Sequence, residues 1–124
     1  MDTTIKILIV DDFSTMRRIM KTILKDLGFK NFVEADDGST AWAILEKQQM
    51  DLIIADWNMP KLTGLELLEK VRASDHHKDV PFLMVTAEAQ KEQVINAIQS
   101  GVSNYAVKPF TADIILGKLE KIIK

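Results

Sequence analysis

There is no cysteine in these 124 residues, so the chain can form no disulfide, no thiolate nucleophile and no zinc–cysteine centre. Proline occurs 3 times and glycine 5, without clustering, and no linker, low-complexity tract or internal repeat is visible. The charge imbalance is slight, a net -2, which gives no reason to expect nucleic acid or an anionic membrane as partner. No apolar run approaches the roughly 20 residues of a membrane span. Met1-Asp2-Thr3-Thr4 lacks the basic and apolar regions of a signal peptide, so the expected compartment is the cytoplasm. Two ligand signatures are also missing. Without Gly-x-Gly-x-x-Gly after the first apolar run a dinucleotide site is not expected, and without Asp-x-Asp-x-Asp-Gly an EF-hand is not.

What is present suits a folded domain. Hydrophobic residues make up 47% and charged residues 27%, far from the profile of a disordered chain, and the length allows one continuous core. A single domain over residues 1–124 is expected. Leu52 to Ala55 is a short, uncharged run, read as a strand buried on both faces, and it delivers Asp56 to its carboxyl end. Similar runs recur along the chain. Ile5 to Val10 is a first strand, followed by Asp11-Asp12 and by Ser14 as helix N-cap. Met16, Ile19, Met20, Ile23, Leu24 and Leu27 form an apolar helical stripe that leaves Arg17 and Arg18 on the wet face and ends at Gly28. Phe32 to Ala35 is a second strand, and Asp36-Asp37-Gly38-Ser39 turns into a helix carrying Ala41, Trp42 and Leu45. Leu65, Leu68 and Val71 mark a third helix. Val80 to Val85 is a fourth strand opened by Pro81, and Val94, Ile95 and Ile98 mark a helix ending at Gly101. Asn104 to Val107 is a fifth strand, and Thr111 caps a last helix with Ile115, Leu119 and Ile122 inward.

Strict alternation of strand and helix without a hairpin signal predicts an α/β fold, a parallel sheet covered by helices on both faces. Right-handed crossovers then put every strand's carboxyl end on one rim. Asp11, Asp12, Asp56, Thr86 and Lys108 all follow strands, so they converge there, where ligand sites of such sheets form. Three carboxylates so close raise one another's pKa unless a cation lies among them. Oxygen ligands without His or Cys suit a hard ion, and Mg²⁺ fits better than a Ca²⁺ cage. A metal, an ammonium and a hydroxyl donor are the stabilisers that phosphoryl transfer uses, with Asp56 as a nucleophile that forms an acyl phosphate.

These residues carry a resemblance. Asp11-Asp12, Asp56, Thr86-Ala87 and Lys108-Pro109-Phe110 match the acidic pair, phosphorylated Asp, switch hydroxyl and lysine of the receiver domain of bacterial two-component response regulators. The likeness covers the whole chain. More narrowly, Asp12-Phe13-Ser14-Thr15-Met16-Arg17-Arg18, Asp56-Trp57-Asn58-Met59-Pro60, Thr86-Ala87-Glu88-Ala89 and Tyr105 resemble the chemotaxis branch of that family. The resemblance implies a five-stranded flavodoxin-like sheet of order 2-1-3-4-5. It implies that Asp56 takes phosphoryl from a phosphohistidine of a sensor histidine kinase. Asp12, Asp56 and the Asn58 carbonyl would hold Mg²⁺, with Asp11 helping through water. Lys108 and Thr86 would contact phosphoryl oxygens, and Lys108-Pro109 would be a cis peptide. Movement of Thr86 would let Tyr105 turn inward, coupling the site to the face of the fourth helix, fifth strand and fifth helix. On that face Lys91, Val94, Ile98, Tyr105, Val107 and Lys118 would contact a flagellar motor switch protein. A phosphatase is a further implied partner, and a monomer is expected. The rival readings are a receiver that passes phosphoryl onward in a relay and a small phosphatase with an Asp nucleophile. The latter needs a carboxylate two residues after the nucleophile, where Asn58 stands. His76 and His77 lie in a polar run and are expected in solvent.

Overall fold

The computed structural model describes residues 2–59, 61–87 and 91–123, with the backbone alone at 91–93. Pro60, the Glu88-Ala89 pair and the side chain of Lys91, all quoted above, lie outside the described residues. In chain order the elements are β1 (Lys6–Val10), α1 (Ser14–Asp26), β2 (Asn31–Ala35), α2 (Gly38–Lys47), β3 (Leu52–Asp56), α3 (Gly64–Ala73), β4 (Phe82–Thr86), α4 (Lys91–Gln99), β5 (Asn104–Val107) and α5 (Ala112–Ile122). The strands form one sheet in the order β2-β1-β3-β4-β5, and every neighbouring pair is parallel. Fold class and strand order both agree with the expectation.

The two-residue period of a strand sorts the apolar side chains between two cores. Ile7 and Ile9 of β1 with Leu52 and Ile54 of β3 meet Met20 and Leu24 of α1 and Ile115 and Leu119 of α5. Leu8 and Val10 with Ile53 and Ala55 meet Ala41 and Leu45 of α2 and Leu67, Leu68 and Val71 of α3. β3 and β4 are central, and all ten of their residues are buried, which is why their sequences are continuous apolar runs rather than alternating ones. Among the described residues, no helix is long and apolar enough to cross a membrane.

Several boundaries differ from the sequence reading, each for a local reason. Ser14 is the first helical residue of α1 rather than its cap; Phe13 is the cap and has no side-chain cap bond. The carboxylate of Asp11 already accepts the Phe13 N–H at 2.9 Å, and this turns the chain one residue earlier. Arg17 is not free on the wet face, because its Nη1 donates to the Asp11 carbonyl at 2.6 Å and its Nε pairs with Glu34 at 3.2 Å. β4 starts at Phe82, since the Val80 N–H is taken by the His77 carbonyl and the Val80 carbonyl by Arg72. His77 is buried, not solvated, and its ring packs edge-on to Trp42 with centroids 6.3 Å apart.

The cap of α2 yields a first prediction. Asp37 Oδ1 accepts the Thr40 N–H at 2.7 Å and Oδ2 lies 3.6 Å from the Lys61 ammonium. The Thr40 N–H above all holds this carboxyl below its usual pKa, against the opposing effect of burial. A lowered folded-state pKa contributes stability that is present above the unfolded value of about 3.9 and is lost as pH falls through the folded one. Asp37→Ala should therefore cost about 1 kcal/mol in urea unfolding at neutral pH, with the deficit shrinking in acid. Asp37→Asn, which keeps the acceptor, should lose far less.

Candidate functional site

Backbone bonds prolong the sheet past the strand ends and help to place the rim. The Asp11 N–H donates to the Ala35 carbonyl beyond β1 and β2, the Trp57 N–H to Val85 beyond β3 and β4, and the Lys108 N–H to Thr86 beyond β4 and β5. Asp56 is the last residue of β3, in register with Val85, and is buried; Thr86 is the last of β4, in register with Val107, and is buried as well. Residues nearly a hundred positions apart are thereby brought together. Lys108 Nζ lies 3.1 Å from Asp11 Oδ2 and 3.4 Å from Asp56 Oδ1. One carboxylate oxygen from each of Asp11, Asp12 and Asp56 lies within 4.8 Å of the others. The Lys108–Pro109 peptide is cis.

The electrostatics follow from this packing. Burial pushes the Asp56 carboxyl above its ordinary pKa; Lys108 opposes it, and the charges of Asp11 and then Asp12 add to it. Below the carboxylates, Ile9, Met16, Met20, Ile54 and Phe110 leave a space of only about 10 Å³, room for one water at most. Among the described residues, the Lys108 ammonium is the cation within 4.0 Å of Asp11 and Asp56, one charge against the three of the acid cluster. The donor set is all oxygen, clustered, and short of positive charge, which fits a hard divalent cation. Asn58, two residues after Asp56, is exposed.

A family model described as the response regulator receiver domain matches residues 7–120. The chain belongs to that family. The receiver is 57% identical to Chemotaxis protein CheY of Pseudomonas aeruginosa, over 96% of each chain. It is 54% identical to Chemotaxis protein CheY-3 of Vibrio cholerae, over 100% of this chain and 95% of that one. Among solved structures, the chemotaxis response regulator CheY4 of Vibrio cholerae superposes with a TM-score of 0.89 at 35% identity, covering 98% of this chain and 100% of the other. The receiver domain of sensor histidine kinase PA1611 from Pseudomonas aeruginosa, solved with a magnesium ion coordinated in its active site cleft, gives 0.87 at 28% identity, covering 97% and 98%. The receiver is thus of the CheY type.

The residues of the anticipated partner face are partly exposed. Ile98 is 61% and Val107 38% accessible, while Val94, Tyr105 and Lys118 are half-buried. The Lys118 ammonium sits over the Tyr105 ring, 5.1 Å from its centroid, and so draws α5 and β5 together at this surface. Ile95 and Ile114, both above 40% exposed, extend the same apolar face. Ile95 was not singled out as a contact from sequence; an apolar residue off the inward stripe of its helix, as Ile114 is on α5, is the available signal. Arg17 was also missed as a support for Asp11, because its acceptor is a backbone carbonyl that no residue pattern marks.

Proposed function

We propose that this receiver is a phosphoacceptor switch of a two-component chemotaxis system, with residues 1–124 forming one receiver domain. Asp56 accepts a phosphoryl group from a phosphohistidine on a sensor histidine kinase. The observation that carries this is the Asp56 carboxylate, fixed at the end of β3 beside two further acids and 3.4 Å from the Lys108 ammonium. An Asp56 oxygen attacks phosphorus, the phosphorus–nitrogen bond breaks, the imidazole leaves, and an acyl phosphate forms on Asp56. Hydrolysis by water later returns inorganic phosphate and the free carboxylate. Asp11, Asp12, Asp56 and the Asn58 carbonyl would hold Mg²⁺, which when bound supplies positive charge to the phosphoryl oxygens. Lys108 can pass from its two carboxylates to a phosphoryl oxygen without leaving the site, and the Thr86 hydroxyl serves another.

Output follows from position. Thr86 ends β4, and a shift of its side chain toward the phosphoryl group opens space for Tyr105, reshaping the surface of α4, β5 and α5. That surface, with Lys91, Val94, Ile98, Tyr105, Val107 and Lys118, would bind a flagellar motor switch protein, and a phosphatase would end the signal. The protein would act as a cytoplasmic monomer. The chemotaxis reading is preferred to a phosphorelay because a relative 57% identical is a Chemotaxis protein CheY. A small phosphatase is disfavoured by Asn58, which cannot act as acid or base.

The test is phosphoryl transfer from a phosphorylated histidine kinase with Mg²⁺, followed by intact mass, and then capture of purified motor switch protein. Transfer together with phosphorylation-dependent capture is expected. Transfer without capture would remove the motor partner; no transfer would remove the proposal. Lys108→Ala should fold and still take up phosphoryl, yet lose most of the phosphorylation-dependent gain in capture, because its ammonium links phosphoryl group to protein. An undiminished gain would show that this link is dispensable.

A further inference from the structure

Arg72, near the end of α3, stands at the opposite end of the sheet from Asp56. Its guanidinium makes no ion pair among the described residues. It donates instead from Nε to the Gly101 carbonyl at 2.8 Å, from Nη1 to the carbonyls of Val80 at 2.6 Å and Lys78 at 3.0 Å, and from Nη2 to Ser103 Oγ at 3.5 Å. Ser103 Oγ also accepts the Phe82 N–H at 3.0 Å. A planar fork with donors in fixed directions can serve several segments at once, as an ammonium cannot. Here it ties the residues after α4 and the approaches to β4 and β5 to α3. Gly101, at φ +92°, is seated tightly against it: a Cβ there would come within 3.2 Å of Nε and 3.3 Å of Cγ and Cδ.

The face of α4 contributes little to holding the helix. Among its described side chains only Ala97 is buried, whereas Ile95 and Ile98 are 42% and 61% exposed. By contrast α3 buries Gly64, Leu67, Leu68 and Val71. The amino end of α4, at Lys91, follows Thr86 after a short connection. So α4 is lightly packed over its described side chains, connected to the switch residue at one end and clamped by a guanidinium at the other, where a cation also complements the helix dipole.

We propose that Arg72 is the fixed pivot of α4: it holds the carboxyl end of the helix still, so that displacement arriving from Thr86 tilts α4 and re-aims Ile95 and Ile98 instead of sliding the helix along the sheet. This rests on the switch role proposed above for Thr86. Arg72 is then a positioning residue of the output surface, remote from the phosphoryl chemistry.

Amide hydrogen exchange on the full chain tests it, because the N–H groups of Ser100, Gly101 and Val102 bond to Asn96, Ile98 and Ala97 and report the clamped end. In unphosphorylated Arg72→Met these three amides should exchange at least tenfold faster than in the wild type, while β1 and β3 amides keep their rates. On adding a small acyl phosphate with Mg²⁺, the wild type should change its exchange in the amino half of α4 and not at 100–102. In the variant the change should spread to 100–102. Arg72→Lys, which keeps the charge but not the fork, should give the same pattern with a smaller amplitude if Arg72→Met fails to fold. Unaltered exchange at 100–102 in both variants, or a wild-type response centred on those amides, would overturn the pivot. Intact mass is read in parallel: a wild type that takes up no phosphoryl group refutes the role of Asp56, while the clamp itself is judged from the unphosphorylated samples.

Discussion

Asp56→Asn is expected to abolish phosphoryl incorporation from a small acyl phosphate and, without a divalent cation at neutral pH, to make the fold more stable. The first effect follows from the chemistry of attack: the amide has no charged oxygen to form an acyl phosphate, and a fall of at least 100-fold is expected, on the scale of losing a covalent nucleophile. Intact mass reads it directly, and undiminished incorporation at another residue would refute the assignment. The second effect follows from the carboxyl's surroundings. Burial, with Asp11 and Asp12 adding to it, outweighs Lys108 and raises the folded-state pKa.

For such a group the sign is the reverse of that for Asp37. Between the unfolded pKa of about 3.9 and the raised folded one, the native state binds more protons, so stability falls as pH rises through that window and stays lower above it. The asparagine variant lacks this decline. Urea midpoints from pH 4 to 8 should thus diverge, the variant becoming the more stable, while Lys108 keeps its 3.1 Å partner in Asp11. Mg²⁺ should then narrow the gap. A ligand of the native state adds about 1.4 kcal/mol for each tenfold excess over Kd, and the wild type, with one more negative charge at the site, gains more. A gap that does not respond to Mg²⁺ would count against the three acids as a metal site.

The sheet and the convergence of the rim were legible because both derive from features the chain displays locally. An apolar run of four or five residues followed by one polar residue is visible as such, and parallel topology does the rest. Asp11 and Asp56 needed no more than this, and Lys108 follows the shorter run Tyr105 to Val107. What escaped the reading depends on partners distant in sequence. Asp75-His76-His77-Lys78-Asp79 looks like solvated loop, yet His77 tucks against Trp42 of α2 once α3 returns the chain to the sheet. Arg17 and Arg72 look like surface charges on amphipathic helices. Their acceptors include backbone carbonyls, and every residue has a carbonyl, so composition cannot mark them. The start of β4 was misplaced for the same reason, because Arg72 claims the carbonyl that would otherwise enter the ladder.

Two glycine-to-alanine substitutions should move stability in opposite directions, although helix propensity alone predicts a gain for both. Gly64 opens α3, where its N–H donates to the Trp57 carbonyl at 2.9 Å and its α-carbon lies against the strand that ends in Asp56. A Cβ there would overlap the carbonyl oxygen of Asp56 and come within 2.9 Å of Met84 Sδ. The sulfur can yield, but the carbonyl belongs to a central strand bonded on both sides and cannot. Overpacking of this kind costs about 1–3 kcal/mol or more, and the upper end is expected because backbone meets backbone. Gly117 is the control. It lies inside α5 with nothing within 4 Å of an added Cβ, so Gly117→Ala should gain up to about 1 kcal/mol. Denaturant midpoints measure both. The pair also bears on function, since relief at Gly64 must push α3 away from Asp56 or shift the strand carrying it. Gly64→Ala should then slow phosphoryl uptake from a small acyl phosphate even under conditions where it is fully folded, and Gly117→Ala should not. If Gly64→Ala were folded, stable and as fast as the wild type, the close approach of α3 to β3 would not be what fixes the acceptor carboxylate.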